Sequence, residues 1–273
     1  MNFLALVLAL ALQQVLAPGN ALQSRRWLLA CDEFLARYVT GATPRLVVLL
    51  LILLLVAEAV LEELGDWSFG LPALLASAAV LLWSLGSADY HTALERLAAR
   101  TAGRAPQAGA DDTPSAEDAG AAEIVASLWM PAGQDPADGA PRARQRLLYA
   151  GFARWYPPLF YFVLAGPLGA LAYRALAVLT ARATDDTRLR LLWLLDWLPA
   201  RLLVLTFALA GDFVAVARSL RGTDSLRAAT PELLENGAMA ACGDAASARA
   251  VGDLLYRCAG LWLLVLSAAI LLF

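Results

Sequence analysis

The chain has 273 residues, 60% of them hydrophobic and only 16% charged, with a net charge of −3. A soluble domain usually carries ~25% charged residues, so this balance excludes an ordinary soluble fold and points to lipid as the solvent. Every basic side chain is arginine, and the arginines are spread through the loops rather than massed in one stripe, which speaks against nucleic-acid binding. Cys31, Cys242, Cys258 and the single histidine His91 share no ligand or disulfide spacing, so no metal site, cofactor or disulfide framework is expected.

A bilayer core ~30 Å thick takes ~20 apolar helical residues to cross. Residues 2–17 are apolar, and nothing charged precedes Leu4 as a signal peptide would require, so they read as a retained first membrane helix. The loop 18–44 carries Arg25, Arg26 and Arg37, and the clearest span follows at 45–61. An acidic turn with Glu62, Glu63 and Asp66 separates it from the next crossing at 69–85, where Trp67 and Trp83 suit the headgroup level. By the positive-inside rule that turn faces out, and loop 18–44 and the chain after Ser87 face the cytoplasm.

Residues 87–154 form the one long polar region, with seven arginines and a middle rich in Ala, Gly, Pro and Asp. Such a composition buries too little apolar surface to fold alone. Short helices are expected at 89–100, 121–130 and 142–154, the last a basic amphipathic segment on the inner membrane surface. Two central spans follow at 156–180 and 199–220. An outward crossing at 156–180 sets Arg182, Arg188 and Arg190 on the wrong side of the charge bias, so 187–199 is expected as a separate interfacial helix. Helices at 231–241 and 245–256 precede a last span at 258–273. The predicted fold is an all-α polytopic membrane bundle of about six spans. It divides into N-terminal helices (1–86), a cytoplasmic loop (87–154), a central hairpin (155–220) and a C-terminal part (221–273).

Ionisable residues inside spans cost at least ~2.5 kcal/mol to insert and call for a partner or a task. Arg174 and Asp212 stand out on that ground. Arg201 and Asp212, eleven residues apart, share a helix face but lie ~16 Å apart along the axis, too far to pair. Asp212 is therefore expected to meet Tyr161 or Arg154, and Asp196 to be the counter-charge for Arg174 and Arg201. Small residues mark close helix packing: Gly166, Gly169 and Ala170 beside Tyr173, then Gly211 and Ala215. Two readings of this hairpin stand side by side. Stripe and charges glue two helices together, or Arg174, Asp196 and Arg201 line a pocket at its outer end for a carboxylate or phosphate. No GxSxG, HExxH or GxxxxGK[ST] occurs, and no catalytic residue is assigned.

The runs FYFVLAGPLGALAYRAL (160–176) and LDWLPARLLVLTFALAGDFVAV (195–216) resemble the AmpE family, integral inner-membrane proteins of Gram-negative bacteria. GPxGAxxYR at Gly166, Pro167, Gly169, Ala170, Tyr173 and Arg174, with LDWLPAR from Leu195 to Arg201, carries the resemblance. It implies a multi-pass regulator of inducible β-lactamase, acting beside a cytoplasmic amidase of cell-wall recycling, which loop 87–154 is placed to dock. The same runs are more distantly similar to the membrane-bound adenosylcobinamide-phosphate synthases, which implies amide-bond formation as the alternative. A membrane scaffold for a soluble partner is the third reading.

Overall fold

The computed structural model describes residues 2–15, 26–65, 70–85, 140–180, 185–222, 227–243 and 248–272. They form α1 (Asn2–Val15), α2 (Arg26–Leu35), α3 (Ala42–Gly65), α4 (Leu71–Ser84), α5 (Ala140–Thr180), α6 (Asp186–Ala210), α7 (Phe213–Gly222), α8 (Thr230–Cys242) and α9 (Ala248–Leu272). No strand occurs among the described residues. Four stretches are long and apolar enough to cross a membrane: Ala42–Gly65, Gln145–Thr180, Asp186–Ala210 and Arg249–Ala268. Among the described residues the chain is all-helical, with four helices long and apolar enough to cross a membrane where about six spans are expected. The shortfall is one of length: α1 and α4 have 14 residues each, ~21 Å of helix against a ~30 Å core. The helices expected at 89–100 and 121–130, and most of the polar loop, lie outside the described residues.

Burial sorts the helices into a rim and a centre. Of α3 only Leu46 and Leu49 are buried, while Val47, Leu51, Ile52, Leu55, Val56 and Val60 stand exposed, as a lipid-facing helix requires. The centre is α5 and α6. One core packs the first part of α5 and the second half of α6 against α8 and α9, through Phe152, Tyr156, Phe207, Leu234 and Trp262. A second packs the end of α5 and the start of α6 on α2, α3 and Trp83 of α4. A third joins α1 and α4 to Leu159, Phe162 and Ala170 on α5.

The 41 residues of α5 are not one straight rod. Ala165 (φ −132°, ψ 19°) and Gly166 (φ 65°, ψ −157°) leave helical geometry, and the positive φ is one that glycine takes without a Cβ penalty. Pro167 follows and removes a backbone donor. The two arms, 140–164 and 167–180, fold back on each other there. In a straight helix Tyr161 and Tyr173 are ~18 Å apart, yet their rings stack with centroids 5.8 Å apart. The single outward crossing expected at 156–180 is thus a helix that turns back.

That reversal returns Thr180 to the end of the bundle where α3 begins. Arg188 proves the proximity: its Nη1 donates to the Leu179 carbonyl at 3.4 Å and its Nη2 to the Ala42 carbonyl. Thr43 Oγ1 donates to Asp185 Oδ2 at 2.9 Å, and Arg45 pairs with Asp32 at 2.9 Å. Arg188 and Arg190 therefore share an end with Arg45, and the charge conflict that suggested an interfacial helix vanishes. Residues 187–199 are instead the first half of α6, with Arg188 and Asp196 buried inside the protein. The segment 142–154, expected on the membrane surface, is the start of α5, and Leu147, Leu148, Tyr149 and Phe152 are core residues. The second central span is also shorter than expected, because α6 ends at Ala210 and α7 begins at Phe213. The stretches expected separately at 245–256 and 258–273 fuse into α9.

Candidate functional site

A buried carboxylate on α6 organises the centre. Asp196 is 2% exposed, a position where an ionised group survives only with hydrogen-bond partners. Both of its oxygens have one. Tyr149 donates its phenol hydrogen to Oδ2 at 2.6 Å, and Tyr173 donates to Oδ1 at 2.8 Å. The two tyrosines come from opposite arms of α5 and are themselves fully buried. Two short O–H···O contacts to one carboxylate belong to the strong, charge-assisted class. A single side chain of α6 thus ties both arms down.

A neighbouring bond follows from the sequence. Pro199 has no N–H, so the carbonyl four residues earlier, that of Leu195, loses its helical donor. Tyr161 supplies the replacement: its hydroxyl donates to the Leu195 oxygen at 2.9 Å. Tyr161 also stacks on Tyr173, so the bond that repairs α6 and the ring that binds Asp196 brace one another.

Arg174, next to Tyr173, is buried. Arg201 folds back along its own helix, with Nη1 donating to the Trp197 carbonyl at 2.9 Å and its guanidinium 4.2 Å from the Trp197 ring centroid. That is a cation–π placement. The partners shown at Asp196 are the two phenols, while Arg201 turns to Trp197 on its own helix. The depth of this carboxylate also differs from the expected one. Asp196 lies ten residues into a 25-residue helix, ~15 Å from its start, well inside rather than at the hairpin's outer end.

Asp212 does not meet Tyr161 or Arg154. It is exposed and lies between α6 and α7, where its Oδ1 accepts from the backbone N–H of Ala215 at 2.9 Å. That is an N-cap. Gly166 forms the break in α5, and Gly169 lies against the Tyr161 carbonyl of the other arm. Ala170 is buried between α1 and α4. Gly211 abuts the Ala241 main chain, where a Cβ would sit 2.7 Å from the carbonyl oxygen.

Tyr149 is the site residue that sequence reasoning missed. The signal is there: Tyr149, Phe152 and Tyr156 recur at i, i+3, i+7 on one face, but Arg142, Arg144 and Arg146 ahead of them and Arg154 among them suggest a surface helix. Among the described residues no three of His, Cys, Asp and Glu gather as metal ligands. Burial pushes the Cys242 thiol above its ordinary pKa, with Arg257 pulling the other way, so it is no ready nucleophile.

Helices of this length and apolarity, packed about a buried polar centre, define a helical membrane protein. The family model for the regulatory signalling modulator protein AmpE matches residues 1–217, and the chain belongs to the AmpE family. Membership supports a regulatory role. No curated protein and no solved structure matches the chain.

Proposed function

We propose that this protein is a multi-pass inner-membrane regulator that modulates inducible β-lactamase expression in step with muropeptide recycling. The family membership carries this reading. In it, α5 and α6 form the sensing element, and an anionic wall fragment or a partner engages the arginines beside the phenol-held carboxylate. Two guanidiniums, those of Arg174 and Arg201, suit a carboxylate or phosphate.

Orientation follows from charge. One end gathers Arg45, Arg188 and Arg190, and the positive-inside rule, which counts arginine rather than net charge, turns it to the cytoplasm. A soluble partner such as an amidase would meet the protein on that side, through the insert between α4 and α5.

The test is genetic and biochemical together. In a β-lactamase-inducible strain lacking this protein, the wild-type chain restores the induction profile, and a chain with Arg174→Ala and Arg201→Ala restores expression of the protein but not the profile. Unchanged induction on deletion overturns the reading. Turnover of a corrinoid acid and an aminopropanol by the purified protein supports the enzyme alternative instead.

A further inference from the structure

One group in the bundle is more elaborately held than packing requires. The Asp196 carboxylate takes a hydrogen from each arm of α5, through Tyr149 at 2.6 Å and Tyr173 at 2.8 Å. Each phenol owns a single hydrogen, and both are spent here. An apolar pair of the same volume would pack these helices without the cost of desolvating a charge, so this arrangement is a poor choice for stability alone.

We propose that Asp196 is a proton-binding site whose occupancy sets whether both arms of α5 are held on α6. Protonation places a hydrogen on one carboxyl oxygen. That oxygen becomes a poorer acceptor for the phenol hydrogen pointed at it. Both bonds then lose their charge assistance, and the arm bonded to the hydroxyl oxygen is loosened more than the arm on the carbonyl oxygen. No bond other than O–H is made or broken, and the proton comes from solvent.

The surrounding groups favour such a response. From α5 the carboxyl meets Tyr149 and Tyr173, with Tyr161 bonded to the Leu195 carbonyl next to it in sequence and the buried Arg174 adjacent to Tyr173 in the chain. From α8, Glu235 is engaged by Gln145 one turn before Tyr149. On α6 itself, Arg188 is committed to the carbonyls of Leu179 and Ala42, and Arg201 to Trp197. The arm 167–180 joins the rest of α5 at Gly166, where the backbone is already non-helical.

The inference stands apart from the β-lactamase reading and fails or holds on the purified chain. The full-length protein in lipid nanodiscs is titrated while two signals are followed. One is the infrared carbonyl band of a protonated carboxyl; the other is amide hydrogen exchange in 145–180, corrected for the intrinsic effect of pH. In the wild type the band is expected to grow as pH falls. Over the same interval exchange in 167–180 should rise about tenfold, the loss of one charge-assisted hydrogen bond. Asp196→Asn should lack the band and show flat exchange. Tyr149→Phe keeps the carboxyl and covers the case in which the amide variant does not fold: band and exchange must then shift together. The proposal is overturned if Asp196→Asn keeps the wild-type pH dependence. It is equally overturned if the two signals move apart, or if no Asp196-dependent band titrates while the protein stays folded.

Discussion

Gly169 sits directly against the main-chain oxygen of Tyr161, eight residues earlier in the same helix, and an added Cβ would also fall 2.9 Å from that of Ala165. Such a contact exists only because α5 reverses at Gly166. Alanine normally stabilises a helix by about 1 kcal/mol over glycine. Here the sign inverts: the colliding atom is backbone and cannot swing aside. Gly169→Ala is expected to lower stability by about 1–3 kcal/mol, the usual range for overpacking. A thermal melt in detergent reads this directly, and a stabilised variant would contradict the reversal.

The bond between Tyr161 and Leu195 makes a conditional prediction. Tyr161→Phe removes the side-chain donor at the carbonyl that Pro199 leaves without its helical N–H, at an expected cost of about 1–3 kcal/mol. In a Pro199→Ala background the backbone N–H returns, and the same substitution should cost far less. A double-mutant cycle on the four proteins measures the difference. Equal costs in both backgrounds would separate the phenol from the proline.

Arg188 closes the joint between α3, α5 and α6. Arg188→Met keeps much of the apolar stem and removes the donors. Hydrogen bonds made by charged groups contribute about 1.5–3 kcal/mol, and a loss of that size is expected in the denaturation midpoint. Arg188→Lys should recover only part of it, since one ammonium cannot reach two separate carbonyls with a fixed fork.

At Asp212 the expectation is modest. As an exposed N-cap of α7, its replacement by Ala should cost about 1 kcal/mol, and Asp212→Ser should recover most of that. Regulatory output should be unaffected in either variant. A complete loss of induction in the serine variant would return Asp212 to the functional site.

Topology is open to chemical labelling. Cys31 on α2 is exposed, and Arg190 near the start of α6 has a side chain 77% exposed. With Cys242 and Cys258 replaced, native Cys31 and an Arg190→Cys variant should react with an impermeant maleimide from the same face of the membrane. Reaction from opposite faces would mean that 156–180 crosses after all.

Much of the architecture was legible in hydropathy, and what was missed shares one cause. The span expected at 45–61 lies inside Ala42–Gly65, because apolar length sets a membrane helix almost alone. Hydropathy carries no sign of direction, so the run 156–180 looks identical whether it crosses or doubles back. The dipeptide Gly166–Pro167 is an ordinary turn signal, but it was read as a packing stripe because apolar residues continue on both sides. Asp212 was set within a span for the same reason, its neighbours being as apolar as any in α6. Asp196 stands out in the sequence only as a counter-charge for Arg174 and Arg201, not as a buried carboxylate. Its companions were not legible, because Tyr149 lies 47 residues away along the chain.

That interval bears on how the protein is made. Tyr149 leaves the ribosome 47 residues before the carboxylate that will hold it, and Tyr173 precedes it by 23. The doubled-back helix therefore enters the bilayer with its phenols unanswered and is locked only when α6 arrives. Assembly at the middle of this bundle waits on a late-coming segment, which makes Asp196 the natural checkpoint between an inserted chain and a finished one.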